Sequence, residues 1–80
     1  MTIKLNSKNK VVGAKQVRRA LSSSEIEAVY LANDADKKVV SDIIKLCEEK
    51  QIQMIHVDSM KKLGDACGID INAAVAALLK

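Results

Sequence analysis

The stretch from Ile26 to Val57 constrains the fold more than any other part of the chain. It opens with Ala28, Val29, Tyr30, Leu31 and Ala32, a run too short for a helix and apolar on both faces, as a buried central strand is. Asp34 and Asp36 follow as candidate helix caps, and from Lys37 to Lys50 the apolar positions Val39, Val40, Ile43, Ile44, Leu46 and Cys47 recur at three- and four-residue spacing. That period describes an amphipathic helix of about three to four turns. Ile52 to Val57 is a second short apolar run. Strand, helix, strand in this order predicts a crossover unit with parallel strands, and such crossovers are right-handed almost without exception. Eighty residues leave room for one core of this kind and not for two, so residues 1–80 are read as one domain.

The flanking segments extend the unit. Asp58 or Ser59 can cap a further short helix through Leu63 and Ala66, and Gly68 is placed to stop it. From Ile71 to Leu79 the residues are Ala, Val, Leu and Ile almost without interruption, a composition in which buried strand and buried helix share one pattern; the middle of the segment is read as a strand. On the other side, Val11 and Val12 precede Gly13, and from Lys15 to Leu21 the apolar positions Val17, Ala20 and Leu21 fall on one helical stripe. Lys15, Gln16, Arg18 and Arg19 fall largely on the others. The serines Ser22 to Ser24 close this helix by competing for its backbone groups. The sum is an α/β chain that folds as a three-layer α/β/α sandwich.

Composition narrows what such a domain can do. Tyr30 is the only aromatic residue, so the core is built from Val, Ile, Leu, Ala and Met, and binding modes that stack successive bases on aromatic platforms are excluded. No apolar run approaches the roughly 18 residues of a membrane span, and Met1 to Lys10 lacks the apolar stretch of a signal peptide; a cytoplasmic location without membrane association is expected. Cys47 and Cys67 are 20 positions apart with no second ligand pair, which reads as buried reduced thiols rather than a metal site or a disulfide. The single histidine, His56, lies inside an apolar strand and reads as a strand residue facing a helix or solvent rather than a catalytic base. Asp34 and Asp36 read as caps rather than cation ligands, and with only Gly13, Gly64 and Gly68 there is no glycine-rich phosphate loop. No enzymatic activity, metal or cofactor is expected.

Charge is unevenly placed. Residues 1–24 carry Lys4, Lys8, Lys10, Lys15, Arg18 and Arg19 and no acid, while the rest carries seven basic and ten acidic residues, so a segment of +6 precedes one of −3 within a net +3. Such an asymmetry is found on ordinary solvated faces and is also the footprint of a phosphate-binding edge. At the start of the Lys15 helix, free backbone N–H groups, the positive end of the helix dipole and three cationic side chains converge. A terminus of this kind binds phosphates and can aim donors at the O6 and N7 edge of guanine, and Gly13 lets the backbone approach closely.

The residues also resemble a known family. Gly13-Ala14-Lys15-Gln16-Val17-Arg18-Arg19, Leu46-Cys47-Glu48-Glu49-Lys50, Lys62-Leu63-Gly64-Asp65-Ala66-Cys67-Gly68-Ile69 and Asn72-Ala73-Ala74-Val75-Ala76 are similar, in order and spacing, to the ribosomal L7Ae family, and most of all to its short bacterial branch of the YbxF type. The likeness runs from about Val11 to Leu79. It implies a three-layer sandwich around a four-stranded mixed sheet, and a protein that binds kink-turns, where tandem sheared G·A pairs bend two RNA stems together.

Carried over residue by residue, the guanine contacts fall to Lys15 and Gln16 and the basic residue one turn later to Arg19; Gly13, Ala14 and Arg18, at the same helix start, are counted with them as candidate RNA contacts. Lys15 and Gln16 stand where many members have Asn and Glu, a replacement shared by the bacterial branch; both side chains keep the ability to meet a guanine edge. A second contact loop falls on Ile69, Asp70 and Ile71, and a pocket for a flipped-out nucleotide on Asp36 and Val40. A lysine common in that pocket falls at Met60, beside Lys61. The expectation is a monomeric, ribosome-associated or regulatory-RNA-binding protein, with no cofactor and no DNA. A protein-interaction module on the same fold is the alternative.

Overall fold

A computed structural model describes residues 10–23, 26–68 and 72–79. Among them are four strands and three helices, in the order β1 (Lys10–Val12), α1 (Ala14–Ser23), β2 (Ile26–Ala32), α2 (Lys37–Lys50), β3 (Gln53–Val57), α3 (Met60–Cys67) and β4 (Val75–Leu79). The strands form one sheet in the order β1-β4-β2-β3. β2 and β3 are parallel, as a crossover unit requires, while β4 runs antiparallel to both β1 and β2. The sheet is therefore mixed, and the apolar run after Gly68 resolves as a strand in its later half.

Two apolar cores lie on opposite faces of the sheet. Ala28, Tyr30 and Ala32 of β2 pack with Val57, Leu63, Cys67 and Ala76 beneath α3. Val29 and Leu31 pack with Val17, Leu21, Ile43, Cys47, Val75 and Ala77 beneath α1 and α2. This gives the three layers expected from the sequence. The alternation along β2 breaks once: Ile26 is on the α1/α2 side although strict period two would put it with Ala28. The cause is a bulge, since Ile26 pairs with Leu79 and Ala28 with Leu78, so that two steps on β2 match one on β4. Glu27 takes up the extra position and stays exposed.

Local signals set the helix limits. Asp36 caps α2 by accepting from the amide of Lys38 at 2.9 Å, and Ser59 caps α3 by accepting from the amide of Lys62 at 3.1 Å. Gly68 ends α3 with φ 76°, the left-handed geometry that glycine adopts freely. At the end of α1, Ser22 Oγ donates to the carbonyl of Arg18 at 3.3 Å and Ser23 Oγ to that of Ala20 at 2.9 Å, the competition that closes the helix. Asp34 has a role other than capping α2, described below.

Candidate nucleic-acid interface

Because β4 is antiparallel to both β1 and β2, and β2 is parallel to β3, the chain leaves β1, β2 and β3 at the same edge of the sheet. All three helices begin there, and β4 enters there. Hydrogen bonds lace the connections together. The amide of Gly13 donates to the carbonyl of Val75 at 2.8 Å, that of Ala32 to Ala74 at 3.0 Å, that of Asn33 to Val57 at 2.8 Å and that of Ala73 to Met60 at 3.0 Å. The carboxylate of Asp34 accepts from the amide of Met60 at 2.7 Å, which ties the turn after β2 to the first residue of α3. One end of the domain is thus a fixed platform from which three helix N-termini emerge.

Of these three helix starts, α2 and α3 are capped by side chains, and α1 is not. Its preceding residue is Gly13, which carries no side-chain acceptor and sits at φ 101° with open space where a Cβ would project. Val17 and Leu21 anchor α1 in the core, leaving Lys15, Gln16, Arg18 and Arg19 exposed and Ala14 half-buried. Lys15 and Arg19 are four residues apart and share the outermost face. Arg18 points toward α2, where its guanidinium is ion-paired with Asp42.

Asp36 and Val40 stand at the start of α2 on this same end. The Asp36 carboxylate is engaged as the cap, and Val40 is half-buried, packed against the cores on both faces. Val40 also lines a groove of about 460 Å³ with Ala32, Asn33, Ala35, Ile44 and His56. His56 is exposed on β3 at the foot of this groove, which agrees with its reading as a strand residue facing a helix or solvent. Ile69, Asp70 and Ile71 lie outside the described residues. At the position of the lysine that the resemblance leads one to look for, Met60 packs against the α3-side core, and the neighbouring Lys61 is exposed.

Sequence reading named Lys15 and Lys61 but passed over Lys37, Lys38 and Lys62. Lys15 in α1, Lys37 and Lys38 in α2, and Lys61 and Lys62 in α3 all fall in first turns, and no first turn among the three holds an acid. A cation there opposes the helix dipole by some tenths to about 1 kcal/mol at low ionic strength. The signal was available: repeated lysines directly after caps break a local rule, and rules are broken most often where function asks for it. Lys62 is offset by an ion pair with Asp58 at 3.2 Å. At the opposite end of the domain, Lys10 Nζ donates to the carbonyl of Cys67 at 2.6 Å, satisfying the last turn of α3 and taking no part in this surface.

The chain has clear relatives. The family described as ribosomal protein L7Ae/L30e/S12e/Gadd45 matches residues 2–80. An RNA-binding protein of Halalkalibacterium halodurans is 50% identical over 70 residues, covering 88% of this chain and 85% of the relative. The RNA-binding protein YbxF of Geobacillus stearothermophilus is 41% identical over the same length and with the same coverage. Among solved structures, the Giardia lamblia 15.5 kD RNA binding protein superposes with a TM-score of 0.87 at 26% identity, over 95% of this chain and 64% of that one. Matching nearly the whole chain in sequence and in fold, these likenesses lead to one assignment: the chain belongs to the ribosomal protein L7Ae/L30e/S12e/Gadd45 family.

Proposed function

We propose that this chain is an RNA-binding protein that recognises a kink-turn with the start of α1 and holds the RNA in its bent form. The observation that carries the reading is the uncapped, basic N-terminus of α1, held rigidly by the Gly13–Val75 hydrogen bond beside the entry to β4. Free amides, the dipole and Lys15 offer donors to a guanine edge or a phosphate, while Gln16 and Arg19 extend the donor set along the exposed side of the helix. The relatives described as RNA-binding proteins support the same ligand class. Asp36, Val40 and the segment of Ile69, Asp70 and Ile71 complete the proposed contact set, with a looped-out nucleotide as their partner.

The mechanism is selection from an ensemble. Groups that come together only in the kinked RNA are contacted together, so the protein binds that form preferentially and shifts the population toward it. It acts as a monomer, without a cofactor, on ribosomal or regulatory RNA in the cytoplasm.

The test compares two RNAs of equal length and charge. One has tandem sheared G·A pairs beside a three-nucleotide bulge, and the other has those pairs changed to Watson–Crick pairs. The first is expected to bind at least about 100-fold tighter near 150 mM salt, a gap of roughly 2.7 kcal/mol that two guanine contacts and the bend can supply. A fluorophore pair on its stems should report them drawing together as protein is added. Equal binding of the two RNAs, lost together as salt rises, would leave only a non-specific basic surface.

A further inference from the structure

We infer that the cleft between α1 and the first half of α2 is a second, sequence-independent seat for the RNA backbone, in which Asp42 stands in for a phosphodiester until RNA displaces it. The inference rests on the RNA-binding reading and assigns a further surface to it. Lys15, Arg18, Lys38 and Asp42 line this cleft of about 420 Å³, and Lys37 borders it where it continues over the surface of α2. Three cations thus line the cleft with one carboxylate, and a fourth borders it.

Two observations point to an anion as the missing occupant. Lys37 and Lys38 are the first two residues of α2, where the helix dipole disfavours them; the Asp36 carboxylate is taken up as the cap, and both lysines line the same surface beside Ser41 and Asp42. An anion drawn into the cleft relieves that repulsion. The second is the Arg18–Asp42 pair, the single contact between charged side chains of α1 and α2 among the described residues. A guanidinium meets a carboxylate and a phosphate through the same planar donor fork. The two side chains remain 54% and 55% exposed, so the pair is weak and open to exchange.

The cleft adjoins Lys15, so a strand engaged at the start of α1 continues into it without a break. The occupant it fits is a run of phosphodiesters from a stem beside the kink, since the lining offers charge and no aromatic face for a base. In the free protein Asp42 keeps Arg18 ordered against α2 and blunts attraction to arbitrary polyanions. In the complex the guanidinium passes to a phosphate.

The experiment measures affinity for the kinked and straight RNAs from about 50 to 200 mM salt, for the parent, Lys38→Ala and Asp42→Asn. Lys38→Ala should weaken both RNAs alike and lower the salt slope by about one, so that its deficit shrinks about fourfold across that range. Asp42→Asn should bind both RNAs more tightly at low salt, with a steeper slope. The ratio between the two RNAs should hold within about twofold in every variant, because backbone contacts carry no sequence information. An unchanged slope in Lys38→Ala, which leaves the ion pair intact, overturns the cleft as a phosphate seat. Weaker binding by Asp42→Asn overturns the stand-in role and makes Asp42 a support for Arg18. If the parent fails to distinguish the two RNAs, the kink-turn reading fails, while the slopes still decide the cleft.

Discussion

The amide of Gly13 donates to the carbonyl of Val75 at 2.8 Å, so the turn that launches α1 is bonded to the first residue of β4. Gly13 holds φ 101° to make that bond. A Cβ at this position meets no atom within 4 Å, so the obstacle to substitution is backbone conformation and not space. Gly13→Ala should therefore cost about 1 to 3 kcal/mol, which for a domain of this size lowers Tm by roughly 4–8 °C per kcal/mol. RNA affinity should fall as well, because the relaxed turn re-aims α1. A melting temperature within about 2 °C of the parent would show that the turn adapts without strain.

Lys15→Ala addresses the donor that the reading places closest to guanine. Lys15 is exposed at the start of α1, so its loss should leave stability nearly unchanged. Affinity for the kinked RNA should fall by about 1 to 3 kcal/mol, the size of one good base-edge contact, with a smaller loss for the straight RNA. Equal losses for both RNAs would reduce Lys15 to a phosphate contact.

Much of the architecture could be read from local pattern. The period from Lys37 to Lys50, the doubly apolar run in β2 and the stop at Gly68 each depend on residues close in the chain, and the structure places them as their sequence implies. The bulge at Glu27 escaped, because its cause is the register with Leu78 and Leu79, half a chain away. Separation along the chain also hid the Arg18–Asp42 pair, 24 residues apart, which turns one of the basic residues of α1 toward its neighbour helix. Asp34 and Asp36 look alike in sequence as caps for α2, yet only tertiary packing brings Met60 to Asp34. The family resemblance supplied the candidate RNA-contacting residues, while the common edge at which three helices start follows from strand order and was not visible in the spacing.

Asp34 gives a prediction about the platform itself. Its carboxylate accepts from the amide of Met60, the first residue of α3, across 26 positions. Asp34→Ala leaves that amide without its acceptor and should cost about 0.5 to 2 kcal/mol, read as a shift in the denaturation midpoint. Asp34→Asn keeps an acceptor oxygen and should recover most of the loss. If Asn is as damaging as Ala, charge rather than the hydrogen bond is what Asp34 supplies.

The two thiols set a limit at high pH. Cys47 and Cys67 are free and buried on opposite faces of the sheet, and burial pushes both thiols above their ordinary value of 9.0; for Cys67 the nearby Lys10 charge offsets a smaller part of the rise. Below pH 9 the native and unfolded chains both keep these protons, and the thiols make stability neither rise nor fall. Above pH 9 the unfolded chain releases protons that the native chain holds, which favours unfolding, and the loss continues until the native thiols titrate. Each thiol contributes a slope of up to about 1.4 kcal/mol per pH unit in that window. Denaturation midpoints between about pH 8 and 10.5 should therefore fall more steeply for the parent than for a Cys47→Ala, Cys67→Ala double variant, which starts less stable because it leaves two small cavities. The comparison cancels every contribution that the two proteins share. Identical slopes would mean that the native thiols ionise as readily as exposed ones, and rapid alkylation of the native parent at pH 9 would say the same by a second route.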